Sequence, residues 1–178
     1  MSEFKVASRY AKSLIDLARE ENALEAIRQD MIQVIEVMKE SSELRAVMAN
    51  PIIKLDKKQS IIDRIFGGKV HKAVASFFNI MVRKGRAGIL YATALEFVEA
   101  YNREKNIVLA KVVSAAPLSP EHYAKVQELI KAETKGEVIL DNQVNPDLIG
   151  GFIITIGDRQ IDASISGKLN KLEKHLRS

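Results

Sequence analysis

The stretch Leu90-Tyr91-Ala92-Thr93-Ala94-Leu95-Glu96-Phe97-Val98-Glu99-Ala100-Tyr101-Asn102-Arg103-Glu104-Lys105-Asn106-Ile107-Val108-Leu109-Ala110-Lys111-Val112-Val113 decides the fold, because its apolar period changes at Asn106. Before Asn106, Leu90, Ala94, Phe97 and Tyr101 recur at the spacing of one helix face. Beyond it, Val108, Ala110 and Val112 alternate with Leu109, Lys111 and Val113 in a β-branched run that reads as a strand. The domain boundary belongs at that change of period, which gives a helical domain over 1–105 and a second domain over 106–178.

Working back from the boundary, the breaks carry helix punctuation and predict six helices. The first spans Glu3 to Glu21, and Asn22 with Glu25 has the form of a capping box opening a second that carries Leu24, Ile27, Met31, Val34 and Met38. A short third follows Ser42 and ends at Pro51. Asp56 with Gln59 opens a fourth carrying Ile61, Ile62, Ile65 and Phe66, which Gly67-Gly68 stops. The fifth spans Val70 to Lys84 before Gly85, and the sixth gives out near Asn106. The expected class is mainly α: a six-helix bundle followed by a small α/β domain.

Working forward, Ser119 caps a helix with Pro120 in its first turn and Val126, Leu129 and Ile130 as its buried stripe, ended by Gly136. Strands are expected over Val138 to Val144 and Ile149 to Ile156, with Gly157-Asp158 turning into Arg159 to Asp162. In the tail, Ile165, Leu169, Leu172 and Leu176 form a narrow helical seam flanked by Lys168, Lys171 and Lys174.

Composition narrows the chemistry. The 178 residues are 47% apolar and 28% charged, enough for real cores and unlike a disordered tail. There is no cysteine, and His71, His122 and His175 are scattered and read as surface residues, which argues against metal and thiol chemistry. The net charge of +4 is mild for a dedicated nucleic-acid binder. The longest apolar stretch, Leu148 to Gly157, falls far short of the ~20 residues that cross a bilayer. The N-terminus lacks the apolar core and cleavage site of a secretory signal, so a cytosolic compartment is expected.

Catalytic motifs are missing too. Gly68-Lys69-Val70 and Gly167-Lys168-Leu169 lack the upstream glycine and the hydroxyl of a phosphate loop, and they read as a turn and a helix start. Gly150-Gly151 reads as a bulge or close backbone approach at a strand start. Asp158 and Asp162 suit a turn and a helix start better than an acid/base pair. Arg83-Lys84-Gly85-Arg86 has two readings, a contact for phosphates or, the favoured one, a basic close to a helix that suits the dipole.

Two helix faces are anomalously wide. At ~100° per residue, Val6, Ala7, Tyr10, Ala11, Leu14, Ile15, Leu17 and Ala18 cover roughly 180° of the first helix. In the fifth, Ala73, Val74, Ala75, Phe77, Phe78, Ile80, Met81 and Val82 cover roughly 220° by the same count. Either these helices sit centrally in the bundle, or they leave an apolar groove for a partner's amphipathic helix.

The whole chain resembles the delta subunit of bacterial F-type ATP synthase, the counterpart of the mitochondrial oligomycin-sensitivity-conferring protein. The likeness rests on Ala7-Ser8-Arg9-Tyr10-Ala11-Lys12-Ser13-Leu14, on Lys84-Gly85-Arg86, and most of all on Val144 through Leu172. That last segment holds Val144-Asn145-Pro146-Asp147-Leu148-Ile149-Gly150-Gly151-Phe152, Gly157-Asp158, Ile161-Asp162-Ala163-Ser164-Ile165 and Gly167-Lys168-Leu169 in order. The resemblance implies a non-catalytic stator subunit, without cofactor or metal, at the top of the peripheral stalk. It implies that 1–105 binds the N-terminal helices of alpha subunits on the catalytic head and 106–178 binds the C-terminal end of the stalk b subunits. It favours the groove reading, with Ala7, Tyr10, Leu14, Phe77 and Met81 lining it, and assigns the seam Ile165, Leu169, Leu172 and Leu176 to the stalk. One copy per membrane-bound complex is implied, peripheral on the cytoplasmic face of the bacterial plasma membrane, with no direct insertion and no nucleic acid. A basic nucleic-acid-binding adaptor and a small enzyme with its site between the halves are the alternatives from other classes.

Overall fold

In a computed structural model, residues 3–134 and 136–176 are described, and the side chains of Glu133, Lys171, Lys174, His175 and Leu176 lie outside the description. The chain divides into two compact units, one ending at Asn102 and the other starting at Arg103. Each has its own hydrophobic core.

The first unit is built from α1 (Glu3–Glu20), α2 (Leu24–Glu40), α3 (Ser42–Ala49), α4 (Leu55–Phe66), α5 (Lys72–Arg83) and α6 (Leu90–Glu104), whose last two residues pass the boundary, with a 3-10 turn at Ala87–Ile89 leading into α6. Leu14, Ile27, Met31, Phe78, Met81 and Phe97 fill its centre and are fully buried. Leu90, Ala94, Phe97 and Tyr101 form the buried face of α6, as their spacing predicts.

Several helix ends depart from expectation. Asn22 does not cap α2: its φ of 52° places it in the left-handed region, where it closes α1 through bonds from its own N–H to Arg19 O and from Ala23 N–H to Ala18 O. Asparagine suits both roles, because its short amide serves as an N-cap and also tolerates that conformation. Glu25 instead meets the Tyr101 hydroxyl and the Arg28 guanidinium, which lies 5.0 Å over the Tyr101 ring. Ser41 caps α3 by accepting from Leu44 N–H at 3.1 Å. Asp56 provides no cap for α4, whose N-cap is Lys54. His71 is half-buried and serves as the cap of α5, its Nδ1 accepting from Ala73 N–H at 3.3 Å while its own N–H donates to Asp30 Oδ2 at 2.6 Å.

The second unit is a four-stranded sheet, order β2-β1-β3-β4, from β1 (Ile107–Ser114), β2 (Glu137–Val144), β3 (Phe152–Ile156) and β4 (Arg159–Asp162), with helices α7 (Pro120–Thr134) and α8 (Ile165–Leu176). The parallel pair β1 and β2 is joined by α7, while β3 runs antiparallel to both β1 and β4. Ala110, Val112, Val138, Leu140 and Ile154 point to one face and pack with Val126 and Ile130 of α7. Leu129, expected in that stripe, is exposed. The third strand starts three residues later than expected, because Pro146–Leu148 forms a 3-10 turn capped by Asn145 and Ile149 takes a φ of 63°.

Gly151 has a φ of 77°, and a Cβ there would stand 2.4 Å from the carbonyl oxygen of Ala163. Both strain and backbone contact oppose a side chain, so Gly151→Ala is expected to destabilise the second unit by about 2 kcal/mol or more. Thermal melting of the full chain checks this, and an unchanged midpoint would show that the segment relaxes freely.

Candidate functional site

Among the described residues, no group of three or more His, Asp and Glu side chains is placed to hold a metal ion, and no helix is long and apolar enough to cross a membrane. The two Gly-Lys dipeptides sit in a turn and in the first turn of α8. Asp158 occupies the turn between β3 and β4. Asp162 Oδ1 accepts from Ser164 N–H at 2.9 Å and Ser164 Oγ at 2.6 Å, and Ser164 Oγ accepts from Gly167 N–H at 2.9 Å. This linked cap opens α8 and explains Gly167, where a Cβ would stand 2.2 Å from the Asp162 carboxylate. The motif is therefore a device that fixes where α8 leaves the sheet.

Of the residues expected to line a groove, Ala7, Leu14 and Met81 are 0% exposed and Phe77 is 8% exposed. They pack inside the bundle, and an open groove does not run over them. Helix α5 touches α1, α2, α4 and the 3-10 turn, which accounts for an apolar arc wider than one neighbour needs. Tyr10 is half-buried and meets Phe77 edge-on, with ring centroids 6.0 Å apart. Beside it on α1, Val6 and Leu17 are half-buried, and Ile80, one turn along α5 from Phe77, is 50% exposed. Of the two wide arcs, Val6, Tyr10, Leu17, Ala75 and Ile80 keep some exposure, while Ala7, Leu14, Phe77 and Met81 lie within the core. Apolar spacing alone cannot separate surface from core, because both lie on the same arc.

On α8 the expected seam is left open. Ile165, Leu169 and Leu172 are 45%, 52% and 59% exposed, and the Leu176 side chain lies outside the described residues. Ile165 packs its Cδ1 against Gly150. The sheet face away from α7 also stays open, with Leu109 and Ile139 paired in register and both exposed. Sequence alternation shows that β1 has two apolar faces, but not that Leu109 and Ile139 on the second stay exposed among the described residues.

Both units expose apolar side chains, and the class so defined is a mainly helical protein of two units, a helical bundle followed by a small α/β unit. Residues 6–176 match the family model for the ATP synthase delta (OSCP) subunit. The chain is 35% identical over 173 residues to the ATP synthase subunit delta of Cytophaga hutchinsonii, covering 97% of this chain and 94% of that one. It is 34% identical to the subunit delta of Moorella thermoacetica, covering 99% of each. A chain in the cryo-EM structure of the Toxoplasma gondii mitochondrial ATP synthase hexamer shares the fold, with a TM-score of 0.72 at 20% identity over 97% of each chain. The protein belongs to the ATP synthase delta (OSCP) subunit family.

Proposed function

We propose that the chain is a non-catalytic stator subunit of an F-type ATP synthase, present at one copy per complex. It joins alpha subunits at the top of the catalytic head to the b subunits of the peripheral stalk, so that rotation stays coupled to proton or sodium transport and ATP synthesis. The observation that carries this reading is the family match over nearly the whole chain, in a molecule whose exposed apolar side chains lie on both units. The helical unit takes an alpha N-terminal helix across Val6, Tyr10, Leu17 and Ile80. The second unit takes the b C-termini on the α8 seam. The chain works peripherally at the cytoplasmic face of a bacterial plasma membrane.

A stator resists the torque of the rotor, so its joint with the head must be long-lived. Burying several hundred Å2 of apolar surface supplies on the order of 10 kcal/mol before association costs, at ~25 cal/mol per Å2. Such a contact responds weakly to salt, whereas phosphate binding would weaken steeply.

The purified chain is expected to co-migrate with the catalytic head at one copy per head and to lose that association when the alpha N-termini are removed. Absence of association, or association indifferent to those termini, would overturn the assignment of the helical unit.

A further inference from the structure

Lys58, in the first turn of α4, is only 5% exposed, and its Nζ donates to the carbonyl of Met48 in the last turn of α3 at 2.7 Å. An ammonium has three donor directions. One is met by that carbonyl, helped by the negative end of α3, and no carboxylate among the described residues pairs with Lys58. A buried charge without a counter-ion is costly, and it gains most from an anion that reaches it.

A cavity of about 210 Å3 is lined by Lys58, Arg86 of the turn after α5, Met48, and Glu3 and Val6 of α1. Glu3 is exposed and pairs with neither cation. Val6 lines the cavity and also begins the α1 stripe that continues to Tyr10 and Leu17. A helix lying on that stripe therefore has the cavity at one end of its path.

We propose that this cavity is a carboxylate pocket that receives one Asp or Glu side chain of the helix docked on α1 and α5; the proposal rests on the docking reading above. One carboxylate oxygen takes the free Lys58 hydrogens at the base, and the Arg86 guanidinium covers the other at the rim. The apolar stripe supplies contact area but repeats with each helical turn. A single buried charge pair fixes which turn is seated and which way the partner runs.

The test is a double-mutant cycle by titration calorimetry, using the full chain and a peptide of the alpha N-terminus. Each Asp and Glu of the peptide is changed singly to Asn or Gln and titrated against wild type, Lys58→Met and Arg86→Ala. One peptide substitution is expected to weaken wild-type binding about tenfold or more and to have little further effect on either variant. Substitution on the peptide leaves the chain's fold untouched, and Arg86 is exposed, so the result stands even if Lys58→Met loses the α3 cap and unfolds. If wild type binds the peptide and no acidic position couples to Arg86 or Lys58, the pocket is refuted while the docking reading survives. If wild type does not bind at all, both fall.

Discussion

A Met81→Asp chain is expected to lose cooperative melting of its helical unit. Met81 is fully closed off, as are Val74, Phe78 and Val82 on the same helix. An aspartate there either carries its charge into an apolar core or takes up a proton to stay neutral, and each costs several kcal/mol against a typical total stability of about 5–15 kcal/mol. Met81→Leu, which keeps shape and polarity, is expected to cost less than about 1.5 kcal/mol and serves as the control. Far-UV circular dichroism of the full chain on heating separates the two. A Met81→Asp chain that melts within a few degrees of wild type would mean that the side chain reaches solvent, and Met81 would return to the contact surface itself.

The amino-acid order leaves the surroundings of α5 ambiguous. The eight apolar positions of α5 read equally well as the middle of a bundle and as one wall of a groove, since both demand a wide arc. What separates them is how many neighbours surround the helix, which depends on contacts between segments distant in sequence. Here α1, α2 and α4 all reach α5, so most of the arc is spent inside, with Ile80 exposed and Ala75 half-buried.

Local features were legible where one residue type has one use. Pro120 after Ser119, the turn at Gly157-Asp158, and the change of period at Asn106 all lie where the sequence places them. Asn106 itself takes a φ of 54°, the conformation that ends the last helix of the first unit. Asn22 misleads because asparagine has two uses, and its choice is settled by the carbonyls of α1 behind it. Strand order was illegible because register and neighbours are set by side chains far apart in sequence. The placing of β1 between β2 and β3 follows from the parallel crossover through α7 and from the antiparallel return of β3.

Carrying both Leu169→Asp and Leu172→Asp, the chain is expected to lose binding to the soluble part of the b subunits while keeping its fold and its association with the catalytic head. Both side chains are more than half exposed, so in the free protein the new carboxylates stay hydrated and the melting temperature stays close to that of wild type. A docked stalk helix would bury them without partners, at several kcal/mol for each, which at 1.4 kcal/mol per decade removes at least about 1,000-fold in affinity. The substitutions leave the linked cap at Asp162, Ser164 and Gly167 intact, so α8 keeps its start and its direction. Loss of stalk binding then reports on the seam and not on the helix. Deleting everything beyond Ser164 should give the same loss but would also remove the contact of Ile165 with Gly150, which is why the double substitution is the sharper experiment. Stalk binding that survives both aspartates would move the site to the open sheet face with Leu109 and Ile139. Loss of head binding in its place would reverse the roles of the two units.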